Sequence, residues 1–286
     1  TFLDRIRSIQ SELTIQVQEI ILGKLNIQKA TIDAKVKKDA LNILVKSGFE
    51  QGSQESQFSI NFADLPGDYA LQADIDLKSA NASNVIKLLD KDSMVDGGTL
   101  NLSFKGNTKG NNFKTMISNL SGKAVVYIQN MKLLNKTIDS RHLDLFAAIL
   151  KSFDNKKNET LFECVAIKLD FLNGIAKANQ SIALETPDIY AMGAGVLNLR
   201  TSKLDFAFNL YPRSNVNIEI GSLDQRVYLK GTIENPQIVL SPKALIKEGG
   251  TLALGVATGG LSLLAEKLYK VTTKQSSPCK QVLTHG

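Results

Sequence analysis

A chain of 286 residues with 43% apolar and 22% charged side chains can bury a core and is not a disordered polymer. Its net charge of +6 comes from scattered lysines, with no basic stripe interleaved with aromatics, which argues against nucleic acid as a partner. Aromatics make up 6% and tryptophan is absent, so any apolar face must be built from Leu, Ile and Val.

In chain order, DRIRSIQSEL is ambiguous between helix and strand, and from Ile15 and Val17 onward strand-type alternation recurs. TIDAKVK sets Ile32, Ala34 and Val36 against Asp33, Lys35 and Lys37. Leu41, Ile43 and Val45 follow, then Phe58, Ile60 and Phe62. YALQADIDLK places Leu71, Ala73, Ile75 and Leu77 opposite Gln72, Asp74, Asp76 and Lys78. Asn84 to Leu89 has room for about two helical turns. Asp96-Gly97-Gly98 reads as a turn, after which Leu100, Leu102 and Phe104 share one strand face. KAVVYIQN does the same with Ala124, Val126 and Ile128.

HLDLFAAILKSF (142–153) has helical spacing in Leu143, Phe146, Ile149 and Leu150, and DNKKNET (154–160) reads as a loop tip. Strands resume in VAIKLDF, where Ile167, Leu169 and Phe171 oppose Lys168 and Asp170, and Asn173-Gly174 is a strong turn dipeptide leading to IAKANQSIAL. In GAGVLNLRTSKLDFAFNL (193–210), a two-residue loop at Thr201-Ser202 would pair Leu199 with Leu204 and Leu197 with Phe206. Phe208 and Leu210 extend that face. NVNIEI adds Val216, Ile218 and Ile220, and VYLKGTIENPQIVLSP adds Val227 and Leu229. Pro236 and Pro242 sit where a strand bends or ends. LALGVATGGLSLLAEKLYK (252–270) reads as a helix despite its glycines, and the tail beyond Lys270 as loose. The uncharged stretch Gly249 to Ala265 is shorter and more glycine-rich than the ~20 apolar residues a membrane span needs. Lys243, Lys247, Lys267, Lys270, Lys274 and Lys280 around it would suit an anionic membrane surface, or simply a solvated face.

Chemistry is hard to find along this chain. His142 and His285 are the two histidines, one in a helical pattern and one at the tail, and neither has a metal or catalytic partner by spacing. GxSxG, HExxH, P-loop and EF-hand motifs are missing. Gly193-Ala194-Gly195 precedes a strand and lacks the strand–turn–helix setting of a dinucleotide fingerprint. Asp74/Asp76 fall on a wet strand face and Asp92/Asp96 beside a turn. The reading is of a protein that is not an enzyme and calls for no cofactor and no metal. Cys164 and Cys279 would be inert thiols in a reducing compartment and could pair in an oxidising one.

The tally is roughly fourteen strands against three or four helices. Strands with one greasy and one wet face can close as a sandwich or barrel, or form one long sheet whose greasy face stays open as a groove. Alternation alone favours the sandwich.

A resemblance shifts that balance. LFECVAIKLDFLNGIAKANQSIALETPDIYAMGAGVLNLRTSKLDFAFNLYP (161–212) resembles the C-terminal region of the AsmA family, with its Cys before a strand, its NGIA turn, its ETPD…GAGVLNL pair and its KLDFAFNLYP strand. VYLKGTIENPQIVLSP (227–242), the glycine-rich helix, SSPCKQ and the upstream NLSG segment follow in the family's order. The resemblance implies a mainly β, elongated, curved antiparallel sheet forming a hydrophobic groove, with a few short helices. It divides the chain into an N-terminal β-groove segment (1–110), a C-terminal β segment with a helix inserted near 141–153 (111–242), and a Gly-rich helix with flexible tail (243–286). It further implies a Gram-negative periplasmic protein, held to the inner membrane by an N-terminal helix absent from these residues. Such a protein would carry phospholipid between inner and outer membranes, its partners being acyl chains and the two membrane surfaces. The alternatives are a factor assisting outer-membrane protein assembly and a plain β-sandwich binding module.

On this reading the groove is lined by Leu100, Leu102, Phe104, Val126, Ile128, Ile167, Leu169, Phe171, Leu197, Leu199, Leu204, Phe206, Phe208, Leu210, Val216, Ile218 and Ile220. Cys164 and Cys279 would be joined, tying the C-terminal segment to the sheet, and the 249–270 helix would cap the groove or touch a membrane.

Overall fold

In the computed structural model the described residues are 10–22, 25–37, 39–62, 67–91, 93–134, 159–213, 226–239 and 277–284. Apart from NVNIEI, which lies outside the described residues, the expected strands are there, and the described strands form a single open antiparallel sheet of thirteen in simple sequence order. These are β1 (Ser11–Leu22), β2 (Leu25–Lys37), β3 (Ala40–Phe49), β4 (Gly52–Asn61), β5 (Tyr69–Asn81), β6 (Val95–Gly110), β7 (Ser121–Leu134), β8 (Glu159–Leu172), β9 (Ile175–Glu185), β10 (Ile189–Asn198), β11 (Lys203–Pro212), β12 (Arg226–Thr232) and β13 (Pro236–Val239). Helices among the described residues are short: α1 (Ala82–Leu89), α2 (Phe113–Ser118) and α3 (Pro278–Thr284). With strands ~4.8 Å apart, thirteen of them span about 58 Å across the sheet. The sandwich that alternation favours is not what these strands make.

Register keeps one face free of charge across the sheet, and apolar along the row from β5 to β12. One row of directly paired residues reads Leu77, Leu102, Val126, Ile167, Ile182, Gly193, Phe208 and Val227 from β5 to β12. The opposite face carries charge in matched pairs. Lys35 opposes Glu12, Lys46 opposes Glu55, Lys105 opposes Asp74, Lys123 opposes Asp170 and Lys230 opposes Asp205, each within ion-pair distance. Exposed pairs of this kind add little stability each, but like charges in the same places would cost it.

Several strands kink, and the kinks preserve the two faces. Lys29, Ser79, Asn130 and Gln180 hold left-handed backbone (φ 49°, 55°, 53° and 53°) inside strands. The β5–β6 register slips between Leu77 and Ala80, so the inward positions change from odd to even there and Ala80 stays fully buried. At Asn130 the inward set changes from Val126 and Ile128 to Met131 and Leu133. Bulges bend the strand and raise its twist, which is how a long sheet comes to curve. Asp96-Gly97-Gly98, expected as a turn, runs within β6, with φ 63° and 82° at the glycines. Their positive φ turns Val95 back to the inner face alongside Leu100 instead of ending the strand.

Asn173-Gly174 is the two-residue loop between β8 and β9, with φ 48° and 72°, the pattern of a type I′ turn. The β10–β11 hairpin departs from expectation. Leu197 pairs with Leu204 and Gly195 with Phe206, so the loop is four residues, 199–202, and the register lies two residues from the expected one. A shift of two preserves the faces, so Leu197, Leu204, Phe206 and Phe208 still point the same way. Leu199 falls in the turn, and its N–H donates to Gly174 O at 2.8 Å, tying this loop to the neighbouring one.

Candidate functional site

The candidate site is the apolar face itself. Its middle is well packed: Leu100, Ile128, Val165, Ile182, Leu184, Phe208, Leu210 and Val227 are buried in one cluster, with Leu102, Val126, Ile167, Leu169 and Phe206 packed against it. Phe104 and Phe171 meet edge to face, centroids 6.1 Å apart. Glycines make room for rings. A Cβ on Gly193 would lie 2.6 Å from the Phe208 ring, and one on Gly195 would lie 2.5 Å from Phe206 Cδ1. This explains the Gly-Ala-Gly run: it is a seat for two phenylalanines. α1 lies over the face at β5 to β7 with Val85 and Ile86 against the cluster, its N-terminus capped by Asn81, whose side chain accepts from Asn84 N at 3.0 Å.

Toward β1 the face opens. Leu13 and Ile15, on its groove side by register, are 56% and 43% exposed. Among the described residues that register places on this face, none carries a charge. Single polar residues such as Thr108 and Thr160 interrupt it, and in β3 and β4 Ser47, Gln54 and Ser56 form a hydrogen-bonded chain.

Of the expected lining residues, Leu100, Leu102, Phe104, Val126, Ile128, Ile167, Leu169, Phe171, Leu197, Leu204, Phe206, Phe208 and Leu210 share this face. Leu199 does not, being in the turn. Val216, Ile218 and Ile220 lie outside the described residues, as do the 142–153 and 249–270 segments and both histidines. The division at 110/111 falls at the connection through α2 between β6 and β7, which pair closely.

A second feature sits on the opposite face. The tail read as loose contains α3, which is packed on β8 to β10 with Cys279 and Val282 buried against Cys164, Ala166, Ala183 and Met192. Cys164 and Cys279 are joined by a disulfide, and both cysteines of the chain are used in it. Beside the bridge the buried carboxylate of Glu185 accepts from Cys279 N at 2.9 Å and from the Ser277 hydroxyl. Arg213 donates to its other oxygen at 2.9 Å and to Glu163 at 2.7 Å. The two sulfurs and Glu185 cluster as metal ligands would, but sulfurs bonded to each other are not thiolates and cannot serve as such. Tyr190 stacks on Tyr211 nearby at 4.9 Å. Burial, and then the neighbouring Tyr211, push the Tyr190 phenol above its usual range. Burial, and then the charge of Glu185, do the same to Tyr127.

Comparison with known proteins finds nothing similar. No family model matches the chain, and neither a curated protein nor a solved structure does. Function therefore has to be argued from the groove.

Alternation groups most of the expected residues on the face that register gives them, but it is blind to α3, Glu185 and Arg213. The one sequence sign of that patch is that FECVAI, IALE and YAMGAGV lose alternation and run apolar, as strands covered on both faces do.

Proposed function

We propose that this chain is an AsmA-like lipid-binding and transfer module that conducts phospholipid along its hydrophobic β-groove. The observation that carries the reading is a charge-free, largely apolar face continuing across thirteen strands with no second sheet among the described residues to cover it. Acyl chains suit such a face, each buried methylene being worth about 0.8 kcal/mol. Aliphatic contacts are non-directional, so a bound chain can slide. A span of about 58 Å is useful for crossing a gap and excessive for one small ligand. The order of family-like segments in 161–242 supports a periplasmic setting, with the two membranes at the ends of the path and an anchor to the inner one.

Mass spectrometry of gently purified protein tests this. Co-purified phospholipid is expected, and repeatedly lipid-free protein would overturn the reading.

One observation favours a second reading, assistance to outer-membrane protein assembly. β1 is an edge strand with Leu13, Ile15 and Ile21 exposed, and such an edge can accept a client strand by backbone pairing. Photocrosslinkers at Gln16 on that edge and at Leu102 in the groove separate the two. Protein adducts at Gln16 without lipid adducts at Leu102 favour the assembly role.

A further inference from the structure

The groove face is interrupted by polar side chains at one described place where they bond to one another, and their geometry is that of a held amide. Ser47 and Gln54 oppose each other directly across β3 and β4, and Ser56 is the next inward residue of β4. The Ser47 hydroxyl donates to Gln54 Oε1 at 3.0 Å, and Gln54 Nε2 donates to Ser56 Oγ. Ser56 is 4% exposed and lies in a row between Val45 and Ile75, so its hydroxyl is a support and not a contact. Gln54 is half-buried, beside Leu77, and its amide is gripped at both ends. A primary amide has two N–H groups and two acceptor lone pairs, so one of each remains for something in the groove.

An amide oriented in this way, on a face otherwise made for hydrocarbon, matches a ligand that is apolar along most of its length and carries a hydrogen-bond acceptor at one level. The ester carbonyls that join acyl chains to glycerol are such acceptors. An alkyl chain with an ether link offers a much weaker one. Donor groups in an apolar setting discriminate strongly when the acceptor is missing, because the donor is then left without water or partner.

We propose that Gln54, positioned by Ser47 and Ser56, is a polar station that hydrogen-bonds the ester–glycerol level of a diacyl lipid. The groove thereby selects acyl-ester lipids over chains of equal length without carbonyls. This rests on the lipid-groove reading, and the experiment separates the failure of one from the failure of the other.

The protein is incubated with vesicles holding equal amounts of dioleoylphosphatidylglycerol and its diether analogue, re-isolated, and its bound lipid counted by mass spectrometry. One neutral hydrogen bond predicts that the diester is retained about five-fold over the diether. Gln54→Met, of similar length without the amide, should bring the ratio to about one, with bound diester falling toward the level of the diether. Should that variant fail to fold, Ser47→Ala combined with Ser56→Ala, which leaves the amide free to rotate, must lower the same ratio. A wild-type ratio of one, or a preference that survives Gln54→Met, overturns the station and leaves the groove standing. Absence of both lipids from the wild type overturns the groove and the station with it.

Discussion

Gly195 shows how a residue without chemistry can decide a site. Its missing side chain lets the Phe206 ring lie on the neighbouring strand, and a Cβ there would sit 2.4 Å from Asp205 O. Backbone cannot step aside as a side-chain tip can, so Gly195→Ala should cost about 2 kcal/mol, read as a lowered denaturant midpoint. Lys29 makes the opposite case. It is exposed and holds φ 49°, a left-handed conformation that costs a non-glycine residue roughly 1 kcal/mol. Lys29→Gly should therefore raise stability by about 0.5 kcal/mol, after the added freedom of the unfolded chain is subtracted.

Among the elements, α3 is the one with the most holding it. The disulfide closes a sequence separation of 115 residues, worth about 4 to 5 kcal/mol in chain-entropy accounting. Glu185 adds a second hold by accepting from the residues at the helix start while Arg213 balances its charge. Reduction should lower the unfolding midpoint sharply. Glu185→Ala in the oxidised protein should cost about 2 kcal/mol, because buried donors then lack their acceptor. The tyrosines on this face give a pH signature. Burial raises the phenol of Tyr190 first and Tyr211 raises it further, so the fold favours the protonated form. The unfolded phenol titrates near pH 10, so this contribution is intact below about pH 10 and fades as pH climbs through the higher folded value. Denaturation midpoints recorded from pH 8 to pH 11 should fall above about 10, and Tyr190→Phe should flatten the fall.

For the whole molecule, the decisive property is that thirteen sequential strands do not close on themselves. Small-angle scattering should show a long axis near the ~58 Å set by strand spacing, whereas a compact profile would contradict an extended groove. Outer-face ion pairs such as Lys35–Glu12 and Lys105–Asp74 are exposed and screened, so the molecule should keep its fold at 1 M salt. The greasy face carries no charge for salt to screen, so lipid held there as proposed should survive the same treatment.

The sequence by itself determined which strands exist, which side chains share a face, and the Asn173-Gly174 turn, because a period of two and a two-residue loop are local properties. It also contained α1, through Asn81 as a cap ahead of Val85 and Ile86. Tertiary structure alone decided that, among the described residues, the greasy face meets no second sheet, because alternation records that a face is apolar and not what covers it. It decided the hairpin register as well, placing Leu199 in a four-residue loop. It turned the glycines of β6 from a turn into a kink and the loose tail into a docked helix. Those outcomes depend on neighbours distant along the chain, Met131 for the kink and Cys164 for the helix, which no local window contains.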